Sequence, residues 1–332
     1  MLINTTTKTA GLFVQIKGLI KDSRQQLARA VNSAIVHTYF QIGKIIVEHE
    51  QKGSAKAKYG EATLKDLSRK LTAEFGKGFS VQNLENMRLF YQAFGISQTV
   101  SRKFTLSWSH YAFLSRLDLE ERNFYTIEAA DNNWSVRELE RQYNSSLFER
   151  LKLSKNKKKV KELSQKGQII TDPCDIIKDP YILEFLNLEK SPKYSESDLE
   201  QGIIDKIEHF LLEFGKGFTF VGRQQRFTFD KKHFYVDLVF YNRLLKSFVL
   251  IDLKIGELTH QDLGQMQMYV NYYDRFVKAK DENKTIGIIL CKDKNDSLVE
   301  ITLPKENKQI FASKYRLYLP SKKEFKKQLE NL

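Results

Sequence analysis

The sequence predicts an α+β protein in two parts: an all-helical N-terminal domain over residues 1–150 and an α/β domain over 171–332, joined by a basic linker over 151–170. Three observations carry this division. In the first part, apolar residues recur at helical spacing. In the second, short runs rich in Val, Phe, Ile and Tyr alternate with polar turns and are flanked by helical patterns. A chain of 332 residues that is 41% hydrophobic also supplies two ordinary cores rather than one.

Leu12, Ile16, Leu19 and Ile20 form a first apolar helix face, and Leu27, Val31, Ile35, Tyr39, Ile42 and Ile46 a longer one ending at a loop at Gly53. Leu64, Leu67 and Leu71 continue the pattern to Gly76. Ser80 caps a helix that buries Leu84, Met87, Tyr91 and Phe94 and turns Gln82, Asn83, Asn86 and Arg88 outward. Two more helices are expected at 117–130 and 135–148, the second opened by a Ser135/Glu138 capping box. Trp108, Tyr111, Phe113 and Trp134 are assigned to the core that joins them. Phe-Gly-Lys-Gly-Phe occurs at 75–79 and again at 214–218, read each time as a glycine helix stop followed by an aromatic anchor.

In the second part the expected order is a helix at 197–214, strands near 218–221 and 225–229, a hairpin, a helix at 261–278, and strands at 285–291 and 315–319. The hairpin carries the chemistry. In FYVDLVFYNRLLKSFVLIDLKIGE, Asp237 is followed after 14 residues by Asp252-Leu253-Lys254, on two apolar runs joined by a turn at 242–246. Strand side chains repeat every two residues, so Asp252 and Lys254 share a face, and an antiparallel partner brings Asp237 beside Asp252. Carboxylates meeting among aliphatic side chains need compensation, and a divalent ion is the usual one, with magnesium or manganese favoured by oxygen ligands. The pattern therefore reads as a metal-dependent nuclease site. The alternative is a solvated ion pair at a frayed strand end. Downstream, Leu263, Met266, Val270, Tyr273 and Val277 form a helical core stripe, with Gln265 and Tyr269 four apart on the adjoining face, where an amide and a phenol can touch a phosphate or sugar oxygen.

With Asp237, Asp252-x-Lys254 and Gln265-x-x-x-Tyr269 in that order, the chain resembles the PD-(D/E)XK nucleases, and among them the bacterial YhcG-like proteins. The segments 172–186, 210–224, 234–241, 249–257 and 264–273 carry the resemblance. It implies a restriction-endonuclease-like nuclease domain with a mixed sheet, behind a winged-helix or helix-turn-helix type module. It also implies that Asp237 and Asp252 bind the metal with the Leu253 carbonyl, and that Lys254 activates water and offsets phosphate charge. A further acid from the first core helix is expected, Glu200 in preference to Glu208, although an acid near a helix start also serves the helix dipole alone. Relatives typically carry Glu-x-Lys, so Asp252 shortens one ligand by a methylene. The resemblance makes the face from Gln82 through Asn83 and Asn86 to Arg88 a candidate DNA-contacting surface. Arg223, Gln224 and Arg226 could meet the DNA backbone near the site, or only protect a sheet edge.

A net charge of +13 and a pI near 9.4 favour an anionic partner, nucleic acid first. Lys152, Lys155, Lys157, Lys158, Lys159 and Lys161 concentrate charge in the linker, where they can grip phosphates or simply solvate a hinge. No apolar stretch reaches membrane-span length, the start MLINTTTKTAGLF holds no convincing cleavage site, and a cytoplasmic protein without membrane contact is expected. Cys174 and Cys291 are isolated and the six histidines scattered, which argues against a disulfide framework or zinc site. The expected function is magnesium-dependent cleavage of DNA phosphodiesters in bacterial defence, repair or recombination, with defence-system partner proteins. The alternative is a DNA-binding or assembly subunit whose catalysis is weak. Because one-site nucleases that cut two strands often work in pairs, a homodimer is also expected.

Overall fold

The computed structural model describes residues 3–52, 57–95, 104–153, 157–188 and 193–320. The chain divides into two compact units, Met1–Leu139 and Glu140–Leu332.

The first unit is built on helices α1 (Ile3–Lys52), α2 (Ala57–Phe75), α3 (Val81–Phe94), α4 (Trp108–Leu114) and α5 (Leu119–Asp131), with the start of α6 (Val136–Asn144). No strand occurs among its described residues, so they contain no hairpin wing. The two expected N-terminal faces belong to one helix. Only its last third is packed: Val36, Phe40, Ile46 and Val47 are buried, whereas Leu12, Ile16, Leu19, Ile20, Leu27 and Val31 are exposed. Periodicity shows that a stripe exists, not what covers it. The expected loop at Gly53 lies outside the described residues.

Ser80 caps α3, accepting from the Asn83 N–H, and Phe90 takes the buried place expected for Tyr91 and Phe94, which are half-buried. Trp108 packs edge-on against Tyr39 and Phe90. Ser135 and Glu138 form the capping box, with each residue's backbone N–H bonded to the other's side chain. Gly76 and Gly78, like Gly215 and Gly217, adopt positive φ, as glycine stops require.

The second unit continues with α7 (Leu147–Leu153) and α8 (Lys157–Lys166), then β1 (Tyr181–Ile182), α9 (Glu196–Asp205), α10 (Ile207–Phe214), β2 (Phe218–Phe229), β3 (Lys232–Asn242) and β4 (Ser247–Glu257). It closes with α11 (His260–Phe276), β5 (Ile286–Asp293), α12 (Asp296–Thr302) and β6 (Ile310–Arg316). The expected 135–148 helix is interrupted because Ser146 turns to φ 53, and the expected 197–214 helix is interrupted at Lys206, where the backbone leaves helical geometry. The two expected strands at 218–229 are one strand with a bulge between Phe220 and Gly222. The last strand lies earlier than 315–319, because buried Ile310 and its neighbours pair with Gly287–Ile289. Of the linker lysines, Lys155 lies outside the described residues, as do the side chains of Lys157, Lys158, Lys159 and Lys161; Lys152 rests over the Phe148 ring at 4.5 Å.

The sheet order is β1-β6-β5-β4-β3-β2, antiparallel from β2 to β4 and parallel from β4 through β5 and β6 to β1. Strand alternation sends Leu238, Phe240, Val249 and Ile251 to one face, against Leu199 and Ile203 of α9 and Phe210 and Phe214 of α10. Val239, Leu250 and Ile289 go to the other, against Leu263, Met266 and Val270 of α11. With both faces covered, the central strands are almost wholly buried.

One buried ionic centre ties the helices to the sheet edge. The Glu213 carboxylate accepts from both Nη atoms of fully buried Arg150 and from the Ile182 N–H, Arg141 Nη1 lies 3.5 Å away, and Lys178 Nζ donates to the Glu213 carbonyl. Burial pushes the Glu213 carboxyl up, but Arg150, Lys178 and Arg141 outweigh it and bring it down to about 2. Its stabilising contribution is therefore present in full above 4.5 and is lost as pH falls toward about 2. Glu213→Ala, which leaves Arg150 buried without its anion, is expected to lower stability by about 3–5 kcal/mol in urea denaturation at neutral pH.

Candidate active site

The hairpin turn forms because Asn242 Oδ1 accepts from the N–H groups of Leu244 and Leu245 while Lys246 takes φ 48, letting β4 return beside β3. The resulting register pairs Leu238 with Ile251, so Asp237 and Asp252 fall opposite each other at the next step. Asp252 and Lys254 share the parity of Leu250 and point to the α11 face. Asp237 Oδ2 accepts the Leu253 N–H at 2.8 Å, which fixes that carboxylate against the β4 backbone. The sequence expectation of converging acids is met in the geometry.

Asp252 is only 3% exposed. Lys254 Nζ stands 3.1 Å from its Oδ2 without meeting hydrogen-bond geometry, and Oδ2 is a buried oxygen with no hydrogen-bond partner. Burial, with the Asp237 charge added, pushes the Asp252 carboxyl up to about 7 despite Lys254. Burial alone would depress the Lys254 ammonium, but Asp252, Glu196 and Asp262 around it more than reverse this and hold it above its usual value. Glu196 Oε2 and Asp262 Oδ1 lie 4.0 and 3.8 Å from Nζ.

Glu200 on α9 is reached through an amide. Gln224 Nε2 donates both to Glu200 Oε2 at 2.6 Å and to Asp237 Oδ1 at 3.1 Å. Burial and the nearby Asp237 raise the Glu200 carboxyl, with the Gln224 bond partly offsetting them. Glu208 falls on α10, beyond the Lys206 break. On α11 the Gln265 amide donates to the Tyr269 hydroxyl at 2.6 Å. Tyr269 is buried in the core rather than on a free flank. Its hydroxyl pKa is pushed up to about 12 by burial and by the Asp252 charge.

The remaining candidates have the following partners within the protein. Arg223 Nη1 donates to Gln201 Oε1, and Gln224 serves the acids directly. Of the four α3 candidates only Gln82 is exposed. Asn83 bonds the Gly78 carbonyl and accepts from Trp108, Asn86 accepts from Arg116, and Arg88 pairs with Glu50 and Glu85. The outward face expected at Asn83, Asn86 and Arg88 is therefore half-buried and occupied by internal bonds. Sequence reasoning passed over Glu196 and Asp262 as neighbours of Lys254. Asp262 carried a signal, because it closes the α11 capping box on Thr259, directly after the Lys254 strand.

Among the described residues no three His, Cys, Asp or Glu side chains form a preassembled metal cage. Two facing carboxylates, one with an unsatisfied buried oxygen, instead fit an ion such as magnesium, which keeps several waters and takes one or two protein carboxylates. The Leu253 carbonyl is a further oxygen donor of the same hard type.

Because the folded protein holds the Asp252 proton longer than the unfolded chain does, ionised Asp252 costs stability increasingly as pH rises from 3.8 to about 7. Asp252→Asn imitates the protonated form. In chelator, its melting temperature relative to the parent protein is expected to increase across that interval. A difference independent of pH in thermal denaturation would contradict the assignment.

Matches to known proteins cover both parts of the chain. A model described as the YhcG PDDEXK nuclease domain matches residues 174–330, and one described as the DUF1016 N-terminal domain matches residues 15–150. The chain is 37% identical over 336 residues to "Putative nuclease YhcG" of Escherichia coli (strain K12), spanning 92% of this chain and 89% of that protein. A repair endonuclease from Pyrococcus abyssi and an EndoMS-dsDNA2 complex each share 17% identity over 39% of this chain, covering 50% and 46% of theirs. Their TM-scores of 0.26 and 0.27 are too low to bear on the site. With both parts matched and most of its length aligned to one relative, the chain belongs to the YhcG family, whose C-terminal domain is a PDDEXK nuclease domain of restriction-endonuclease-like fold.

Proposed function

We propose that the protein is a metal-dependent DNA endonuclease that hydrolyses phosphodiester bonds, working in bacterial DNA defence, repair or recombination. The observation that carries this reading is the buried Asp252 carboxylate, whose Oδ2 has no hydrogen bond and shares the Lys254 cation with other acids, held opposite Asp237. Asp237 and Asp252, with the Leu253 carbonyl, would hold magnesium or manganese. The ion, when bound, supplies Lewis-acid polarisation of the phosphate and lowers the pKa of attacking water.

Lys254 has the position and charge to orient that water and to offset negative charge developing on the phosphate. Its two flanking acids, Glu196 and Asp262, keep it protonated and directed toward Asp252. Gln265, held by its bond to the hydroxyl of buried Tyr269, steadies the substrate from α11. Glu200 completes the acidic set through Gln224. Exposure increases from Asp252 through half-exposed Asp237, Glu200 and Lys254 to exposed Gln224 and Glu196, which leaves the acids open to a phosphate. Hydrolysis breaks one P–O bond and forms another to the water oxygen, leaving a phosphate monoester and a hydroxyl. The net charge of +13 supports an anionic substrate.

The second reading, an assembly subunit with weak catalysis, has support in the absence of a three-acid cage among the described residues. Cleavage of supercoiled, linear, branched and modified DNA with added magnesium separates the two. Asp252→Ala is expected to abolish cleavage and Lys254→Ala to reduce it by about 100- to 1000-fold, with DNA binding retained. Full cleavage by both variants would remove the assignment. Affinity should fall linearly in log–log form with salt concentration, as phosphate contacts release counterions; a flat salt titration by fluorescence anisotropy would contradict the electrostatic grip.

A further inference from the structure

The part of α1 before Val36 presents an apolar stripe that no described element covers. Phe13, Ile16, Ile20, Ser23, Leu27, Ala30 and Ala34 follow one another in alternating steps of three and four residues. That is the 3.5-residue repeat of a coiled-coil seam. Leu19 and Leu27 are 70% and 66% exposed and Phe13 64%, while Leu12, Ile16, Ile20 and Val31 are also about half exposed or more. These side chains amount to roughly 700 Å² of apolar surface per chain, close to the about 800 Å² that each partner contributes to a standard interface. Single exposed apolar residues are ordinary, but a continuous stripe of this size marks an interaction surface.

We propose that this stripe is a self-association surface, on which α1 of a second copy of the chain packs antiparallel. The order of side-chain sizes selects both occupant and direction. Large residues precede position 23 on the seam and small ones follow Leu27. An antiparallel pair centred near residue 25 sets Ile16 against Ala34, Ile20 against Ala30 and Leu27 against Ser23, so each layer joins a large side chain to a small one. A parallel pair would stack alanine on alanine and leave voids. The same patch then serves both copies, as two-fold association requires. The helix needs no refolding to pair, because it runs without interruption into the buried segment at Val36, Phe40, Ile46 and Val47. The inference does not depend on the nuclease assignment.

Sedimentation-velocity centrifugation of the full chain at micromolar concentration is expected to show a dimer. Ile20→Asp combined with Leu27→Asp should raise its dissociation constant by more than about 100-fold. Since both side chains are already exposed, circular dichroism and metal binding should be preserved. In a Cys174→Ser background, oxidising a mixture of the Ile20→Cys and Ala30→Cys chains should yield a disulfide-linked heterodimer. Three results would each overturn the proposal: a monomer across that concentration range, a dimer unaffected by the paired aspartates, or cross-linking of the Ile20→Cys chain to itself in preference to the mixture. Parent chain that stays monomeric but sediments with phosphatidylglycerol vesicles would assign the stripe to a membrane surface instead.

Discussion

The second unit is organised around a cost: a carboxylate placed inside a sheet where water cannot solvate it. Asp252 lies on a strand flanked by β3 on one side and β5 on the other, under α11, at a position where an aliphatic residue would pack without penalty. The fold does not relieve that cost with a dedicated counterion. Lys254 is shared with Glu196 and Asp262, and Asp237 adds a second negative charge opposite. Such an arrangement is stable when a divalent ion or a proton completes it, and the surrounding elements can be understood as holding the acids where either can do so.

The contrast with Glu213 sharpens the point. Both carboxylates are buried in the same unit. Glu213 is enclosed by Arg150, Arg141 and Lys178 and receives a backbone N–H, so its charge is satisfied from within and its pKa falls to about 2. Asp252 has one shared cation and an oxygen with no hydrogen bond, and its pKa rises to about 7. Similar burial therefore produces opposite titration because the inventories of nearby charge differ. A buried acid whose needs are met internally belongs to the scaffold, while one left wanting a cation is where external chemistry enters.

How much of this was legible in the sequence follows from the range of the interaction that decides each feature. The hairpin was legible because its strand periodicity and turn are local and its two-residue period dictates which side chains meet. The α11 start and the Ser135 cap were legible for the same reason. The bond from Gln224 to Glu200 was not legible, because nothing in its own neighbourhood of sequence reveals that α9 brings Glu200 to it from 24 residues away. Glu196 was missed likewise, since its proximity to Lys254 depends on how α9 crosses the end of β4. The exposed half of α1 failed differently: amphipathic spacing was correctly read, but spacing is indifferent to whether the covering surface lies in the same chain. At Asn83, Asn86 and Arg88, polar side chains presumed to face solvent were instead spent on Gly78, Arg116 and Glu50.

The edge strand β2 shows why the site takes the form it does. An unmodified edge strand would alternate regularly past β3, and position 224 would have no reason to lean toward both α9 and Asp237. The bulge between Phe220 and Gly222 resets the register, and Gln224 adopts φ 45, an uncommon conformation for a residue with a side chain. Backbone strain of this kind persists only where surrounding structure enforces it, and here it delivers an amide to two carboxylates at the open side of the pocket.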